Sequence, residues 1–313
     1  MDLDHDGNDE YISFESDPVH NKSDIHLLNS DFNLIDQVNF NGTIEYATHF
    51  DWTGDGIDEI VIAYTRNDSS FLRIIDHNAN ILAEAFLFSG KPRVDSSGTY
   101  AWTGQINSIF YTDIDGDGSK ELIVFPDEAF AGAPRGVFVY DGHTFRLKWK
   151  YKIGPFILNK PVILDVNNDG KKEILFGTSA PCNGNKANGT DDRHSYLFLV
   201  DNTGYLLWRR PFGEQFTGVR TFYVDINGDG RPQVLAVVQK RYAGSSKPRI
   251  EIINPANGTP LAIRTFPYAN PFSWNFAVLQ SDRNPDKEFV ISNKTGEVIL
   301  LNSRFEEIRQ KHL

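Results

Sequence analysis

One acidic motif recurs along this chain. It reads DLDHDGNDEYI from Asp2, DWTGDGIDEIV from Asp51, DIDGDGSKELI from Asp113, DVNNDGKKEIL from Asp165 and DINGDGRPQVL from Asp225. A worn sixth copy, QSDRNPDKEFV, starts at Gln280. The start-to-start spacings are 49, 62, 52, 60 and 55 residues. A repeat of this length marks an array of similar supersecondary units. Each is too small to bury its own apolar surface and becomes stable only by stacking on its neighbours. A second echo supports the period: LLNSDFNLIDQ (Leu27 to Gln37) and LLNSRFEEIRQ (Leu300 to Gln310) fall at equivalent places in the first and last units.

Within a unit the apolar runs are short and rich in Val, Ile, Phe and Tyr, which predicts strands. In the third unit INSIFYTDI enters the acidic loop and ELIVFPD leaves it. RGVFVYDG and RLKWKYKI follow, separated by Asp141-Gly142-His143. Asn202-Thr203-Gly204 and Pro255-Ala256-Asn257-Gly258 mark the same turn in the fourth and fifth units, and such signals belong to hairpins. No segment carries a helical period of useful length; Phe305 to His312 comes nearest, and its echo in the first unit makes it a strand. Four strands in about 55 residues, repeated, predict an all-β fold, a β-propeller of four-stranded antiparallel blades. A single propeller domain over residues 1–313 is expected, because all-β chains of this length are often one domain. Six blades are readable, in a natural ring of six or seven. The first blade lacks its innermost strand, which should precede Asp2. Met1 is the only methionine and opens inside a motif, so sequence upstream of it is expected.

The acidic loops follow D-x-[DNT]-x-D-G-x-x-E. Oxygens at positions 1, 3 and 5 can converge on one hard cation, and the glycine at position 6 allows the sharp turn. Position 7 can offer a backbone carbonyl and position 9 a carboxylate. Oxygen-only ligation of this kind suits calcium better than magnesium. An EF-hand starts the same way but needs a glutamate at position 12; Ser13, Ile62, Val124, Phe176 and Ala236 stand there. The short loop therefore joins two strands.

In these loops the chain resembles the FG-GAP (VCBS-type) repeat family, the calcium-binding blades of the integrin α-subunit head and of many bacterial surface proteins. The resemblance implies that each loop connects the first and second strands of a blade. It implies metal sites at Asp2, Asp4, Asp6 and Glu10; at Asp51, Thr53, Asp55 and Glu59; at Asp113, Asp115, Asp117 and Glu121; at Asp165, Asn167, Asp169 and Glu173; and at Asp225, Asn227, Asp229 and Gln233. About four to five structural calcium ions are expected. Thr53 and Gln233 depart from the pattern and weaken their sites. Gln280 and Pro285 leave the sixth loop empty. With the millimolar affinities of extracellular calcium modules, each site adds ~0.5–1.5 kcal/mol. Such sites are mostly empty at resting cytosolic calcium, which favours an extracytoplasmic location.

Composition narrows the partners. The net charge is −11 and argues against nucleic acid, which needs a basic face. Cys182 is the lone cysteine, so no disulfide forms within the chain. No apolar stretch approaches the roughly 18 residues of a membrane helix, so membrane insertion of this segment is not expected. Length variation falls between second and third strands, at Ser16 to Asp24, Pro126 to Pro134, Thr178 to Ser195 and Lys240 to Lys247. By resemblance to integrins, a protein or glycan ligand binds on that side, opposite the calcium loops. The longest of these loops carries Cys182, Asp191, Asp192, Arg193 and His194 and reads as a solvated, flexible insertion. Phe40, Trp102, Phe156, Phe216 and Trp274 fall near the innermost strands and read as packing between blades, with a sugar platform as the alternative. The scattered histidines and the lack of a G-x-S-x-G nucleophile motif point away from an enzyme. A non-enzymatic recognition module follows, the ligand-binding, sensor or adhesion part of a larger surface protein. A carbohydrate-binding lectin and a lyase-like polysaccharide-processing enzyme are the alternatives.

Overall fold

The structure is a computed structural model that describes residues 7–17, 20–90, 93–95, 98–100, 102–127, 132–214, 216–240, 248–266, 275–280, 283–292 and 296–312. Every regular element among them is a β-strand, and no helix is long and apolar enough to cross a membrane. The chain separates into two compact units. Met1–Asp113 with Asp117–Lys152 makes the first, and Ile114–Gly116 with Ile153–Leu313 the second.

The first unit holds three antiparallel sheets in chain order. The first has three strands among the described residues: Tyr11–Asp17, Lys22–Leu28 and Leu34–Phe40. The second has Thr43–Phe50, Glu59–Arg66, Ser69–Ile75 and Ile81–Ser89; the third has Ile106–Thr112, Glu121–Pro126, Gly136–Asp141 and Leu147–Lys152. A three-residue hairpin pair, Arg93–Asp95 and Gly98–Tyr100, lies between them in sequence. Strand order equals chain order in each sheet, so every connection is a simple hairpin.

The second strands show why these sheets stack. Glu59–Arg66 alternates with period 2, as strands must, yet both its faces are apolar. Ile60, Ile62 and Tyr64 pack with Ile25, Leu27 and Phe40 of the first sheet. Val61 and Ala63 pack with Ile109, Leu122 and Val124 of the third. The fourth strands turn outward: Ile81–Ser89 and Leu147–Lys152 are largely exposed. Lysines at positions 148, 150 and 152 charge that last edge, the usual protection against strand-to-strand aggregation.

The second unit repeats the scheme. Its first sheet pairs Glu173–Ser179 with Ser195–Val200, and Ser195–Val200 with Leu206–Gly213. The opposite edge of Glu173–Ser179 takes two short pieces, Phe156–Ile157 and Val162–Leu164. Pro161, which has no amide to donate, interrupts them. Asn159 bridges the gap by exchanging two hydrogen bonds with the Thr221 peptide, at 3.0 and 3.1 Å. Thr217–Val224, Gln233–Lys240, Arg249–Ile253 and Pro260–Thr265 follow as four paired strands, joined to the first sheet through the single pair of Ser179 with Gly218; the last sheet comprises Asn275–Leu279, Glu288–Ser292, Glu297–Leu301 and Glu307–His312. Alternate residues of Gln233–Lys240 again feed two clusters, Val234 and Ala236 one way, Leu235 and Val237 the other.

One expectation is modified and another agrees with the structure. Ser16 to Asp24 is not an extended insertion: Ser16 pairs with Ser23 and Asp17 with Lys22 across a tight connection. Phe40 and Trp102 are buried, Trp102 edge-on against Phe88 with its indole donating to the Ala133 carbonyl at 3.2 Å. Both are packing residues. Trp274 lies outside the described residues, as do 241–247 of the last variable loop.

Candidate metal centre

Each described acidic loop leaves a first strand and enters a second, as between Ile106–Thr112 and Glu121–Pro126. The loop backbone is shaped by its own aspartates. The position-1 carboxylate accepts the amide of the position-6 glycine in every described full copy: Gly56 to Asp51 at 3.1 Å, Gly118 to Asp113 at 2.9 Å, Gly170 to Asp165 at 2.9 Å and Gly230 to Asp225 at 2.8 Å. The position-5 aspartate accepts the amide two residues on, from Ile57, Ser119, Lys171 and Arg231. The position-6 glycines have φ between 80° and 92°, a region that L-residues avoid. Gly228 is required for a different reason: a Cβ there would meet Pro285 of the sixth copy at 2.3 Å.

Within this common frame the loops differ at position 3. In the Asp165 loop the Asn167 side-chain amide donates to Asp169 at 3.0 Å, and in the Asp225 loop Asn227 donates to Asp229 at 3.0 Å. A neutral amide thus offsets the position-5 charge from inside the loop. The Lys171 amide and the Asn167 side chain hold the Asp169 carboxyl below its ordinary range. The Asp113 loop has Asp115 there, and a carboxylate cannot donate. Asp113, Asp115 and Asp117 bring one carboxylate oxygen each to within 4.8 Å of one another, and this triad could hold a metal ion. Three like charges this close repel strongly unless a cation joins them. Oxygen donors alone, with no nitrogen or sulfur among them, fit a hard divalent ion.

Position 9 does something the motif does not announce. Glu59, Glu121 and Glu173 are buried at the head of their second strands. Glu59 accepts the amides of Trp52 and Thr53 at 2.7 and 3.1 Å, and Glu173 that of Val166 at 2.8 Å. Glu121 is ion-paired with Lys148 at 2.8 Å. Each of these carboxylates ties the loop or a neighbouring strand to the sheet. Burial pushes the Glu173 carboxyl above its usual range. Gln233 keeps the tie, accepting the Ile226 amide at 3.1 Å, while its own amide group donates to the position-7 carbonyl of Arg231. That carbonyl is therefore engaged in the fifth loop. In the sixth copy the Lys287 ammonium donates to the side chain of Gln280, which stands at position 1 in place of an aspartate, at 2.8 Å. Asp2, Asp4 and Asp6 lie outside the described residues; Glu10 is described and buried.

A second periodic device escaped the sequence reading. An Asp or Asn opens each turn between third and fourth strands: Asn29, Asp76, Asp141, Asp201, Asn254 and Asn302. Each side chain accepts the amide two residues on, from Asp31, Asn78, His143, Thr203, Ala256 and Arg304. Three or four residues past it a residue at positive φ closes the turn: Phe32, Ala79, Phe145, Gly204, Gly258 and Phe305. These are Asx turns. Aligning the six units on their acidic loops would have exposed the recurrent Asx. Outside the loops the buried Glu251 is paired with Arg210 and Arg249 at 2.8 and 2.6 Å, a structural use of its charge.

No family model matches the chain, and no curated protein resembles it in sequence. Solved structures do. The Dos1 propeller matches 96% of this chain and 68% of its own, at 12% identity and TM-score 0.55. BBS1N, solved in complex with ARL6DN, matches 100% of this chain and 80% of its own at 11% identity and TM-score 0.52. A rhamnogalacturonan lyase from Bacillus licheniformis matches 93% of this chain at 12% identity and TM-score 0.51, over 59% of the lyase. At such identities the likeness speaks for the fold alone. The repeated antiparallel sheets, their simple hairpin order and these neighbours make the fold an all-β β-propeller.

Proposed function

We propose that this protein is a non-enzymatic recognition module whose acidic loops hold structural calcium. The carrying observation is the convergence of Asp113, Asp115 and Asp117 in a loop whose backbone is already shaped by amide-to-carboxylate bonds. Calcium would be held by these three side chains and would supply fixed positive charge, not chemistry. The Asp51, Asp165 and Asp225 loops supply two aspartates each plus Thr53, Asn167 or Asn227, and bind more weakly. Millimolar calcium, and so an extracytoplasmic setting, is where such sites fill. Ligands, protein or glycan, engage the variable connections between second and third strands, FG-GAP propellers being the model for that arrangement.

The test is thermal unfolding with EDTA, calcium and magnesium, together with metal analysis of the purified protein. A calcium-specific rise in Tm with bound calcium supports the reading; no metal and no shift would sink it. A second reading, polysaccharide cleavage, draws on the shared fold of the rhamnogalacturonan lyase. Release of unsaturated products from uronic-acid polymers would establish it.

A further inference from the structure

The insertion Thr178 to Ser195 is not slack chain. Asp192, almost wholly buried, accepts the amides of Asn183, Gly184 and Asn185 at 2.9, 3.1 and 2.9 Å. The Asn185 side chain donates to the carbonyls of Ile153 and Gly154 at 3.2 and 2.9 Å. Thr190, also buried, accepts the Gly154 amide at 2.9 Å. A two-stranded hairpin, Lys186–Ala187 with Thr190–Asp191, forms the tip. The insertion is thus organised around a buried carboxylate, as a nest of backbone amides closes on an anion.

This frame draws three segments together. The Cys182 amide donates to the Asp192 carbonyl at 2.9 Å, Ala180 and Thr217 are bonded at 2.9 Å, and the Phe216 amide donates to Ala180 at 2.8 Å. The result is a cavity of about 440 Å³ lined by Cys182, Arg193, His194 and Glu214. Its polar groups are poised. His194 Nδ1 lies 2.7 Å from Asp191. Burial works against the Asp191 charge, but bonds from His194 and the Arg193 amide outweigh it and hold the carboxyl below its ordinary range. Asp191 therefore stays ionised and fixes the ring, leaving Nε2 for a ligand. Among the described residues the Arg193 guanidinium and the Glu214 carboxylate make no hydrogen bond or ion pair.

We propose that this cleft binds a small hydroxylated monocarboxylate, the chemistry of a sugar acid, with Arg193 on the carboxylate and His194 and Glu214 on the hydroxyls. The proposal rests on reading the protein as a recognition module and names the ligand class of one variable connection. A guanidinium fork matches a planar carboxylate bidentately. Glu214 accepts from hydroxyls and repels a dianionic phosphate. Among the described residues the lining carries no aromatic side chain, so the proposed contacts are polar and the ligand must offer several of them.

Cys182 is the only cysteine of the chain and lines the cleft, so its alkylation by iodoacetamide reports occupancy directly. D-galacturonate at saturation is expected to slow carbamidomethylation of the intact protein, while D-galactose and inorganic phosphate leave the rate unchanged. Arg193→Ala weakens the protection about tenfold or more, as loss of a charge-assisted pair should; Glu214→Gln weakens it less. Both residues are exposed, and a parallel melt verifies folding. Absence of protection, equal protection by galactose or phosphate, or protection indifferent to Arg193→Ala overturns the proposal. Calorimetry run alongside separates the two levels. Binding heat without protection of Cys182 overturns this cleft and leaves the recognition reading standing. Cleavage of a uronate polymer sinks the recognition reading, while persistent protection still supports the cleft.

Discussion

The Asp113 and Asp225 loops have matching backbone bonds from the position-6 and position-7 amides to their aspartates, yet their centres differ. In the Asp225 loop two side-chain amides intervene: Asn227 donates to Asp229 and Gln233 to the Arg231 carbonyl. In the Asp113 loop Asp115 and Glu121 occupy those positions, and Lys148 takes up Glu121. The loop conformation is therefore built from backbone-to-aspartate bonds, and charge at its centre is set independently at positions 3 and 9. On the proposed reading, metal affinity would then vary from copy to copy without disturbing the fold.

The comparison breaks most visibly at position 9. Glu121→Ala removes a buried carboxylate and strands Lys148, which retains some access to water. A loss of about 3 kcal/mol is expected in urea unfolding, whereas Gln233→Ala, which leaves the Ile226 amide without its acceptor, costs ~1–2 kcal/mol. Equal losses would mean that the Lys148 pair contributes nothing.

Position 3 should divide the loops by metal. Asp115→Asn is expected to weaken calcium binding at the Asp113 loop at least about tenfold, ~1.4 kcal/mol, read by calorimetric titration, with the apo protein unchanged or slightly more stable. Asn227→Asp, the reverse change, is expected to strengthen binding at the Asp225 loop by less, because the Arg231 carbonyl stays engaged by Gln233. A larger gain there than the loss at Asp115 would show that position 3 alone sets affinity.

The smallest effect concerns Glu173, whose carboxyl burial raises. In metal-free protein its ionised form is disfavoured by folding. That cost is complete above the raised folded value and vanishes once pH falls below the ordinary carboxylate range, where both states are protonated. Stability therefore increases as pH falls through that window. Glu173→Gln keeps the acceptor for Val166, as Gln233 does for Ile226. It should flatten this slope and change stability at neutral pH by less than ~1 kcal/mol. Urea midpoints measured across the acid range check it; an unchanged slope assigns the titration to another group.

These contrasts show what the residue pattern carried and what it concealed. The acidic loops, the strand pairs around them and the three strands of the first sheet among the described residues follow from spacing and alternation, because a period-2 run between turn signals has few ways to fold. The role of position 9 does not follow: Glu and Gln both accept an amide, and only the folded loop places Trp52, Val166 or Ile226 opposite. Three of the turns were legible from Asp141-Gly142-His143, Asn202-Thr203-Gly204 and Pro255-Ala256-Asn257-Gly258, but their shared Asx bonding was not, and in the first and last units Phe32 and Phe305 stand at the positive-φ position where glycine would have signalled a turn. The Thr178 to Ser195 insertion looked solvated because its composition is polar, yet that polarity is turned inward on Asp192. Composition reports how many polar groups a loop has, not which way their bonds run.

That inward anchoring has a practical consequence. Asn188 and Gly189 form the exposed tip of the insertion, both at positive φ, beyond the bonds that gather Asn183, Gly184 and Asn185 onto Asp192 and hold Thr190 to Gly154. A chain nicked or lengthened at that tip would keep both flanks seated, since exposed tips tolerate cuts and additions when their stems are fastened elsewhere. The tip is thus a natural place to split the protein into two complementing fragments, or to graft a foreign peptide, while the bonds around Asp192 that shape the cleft stay in place.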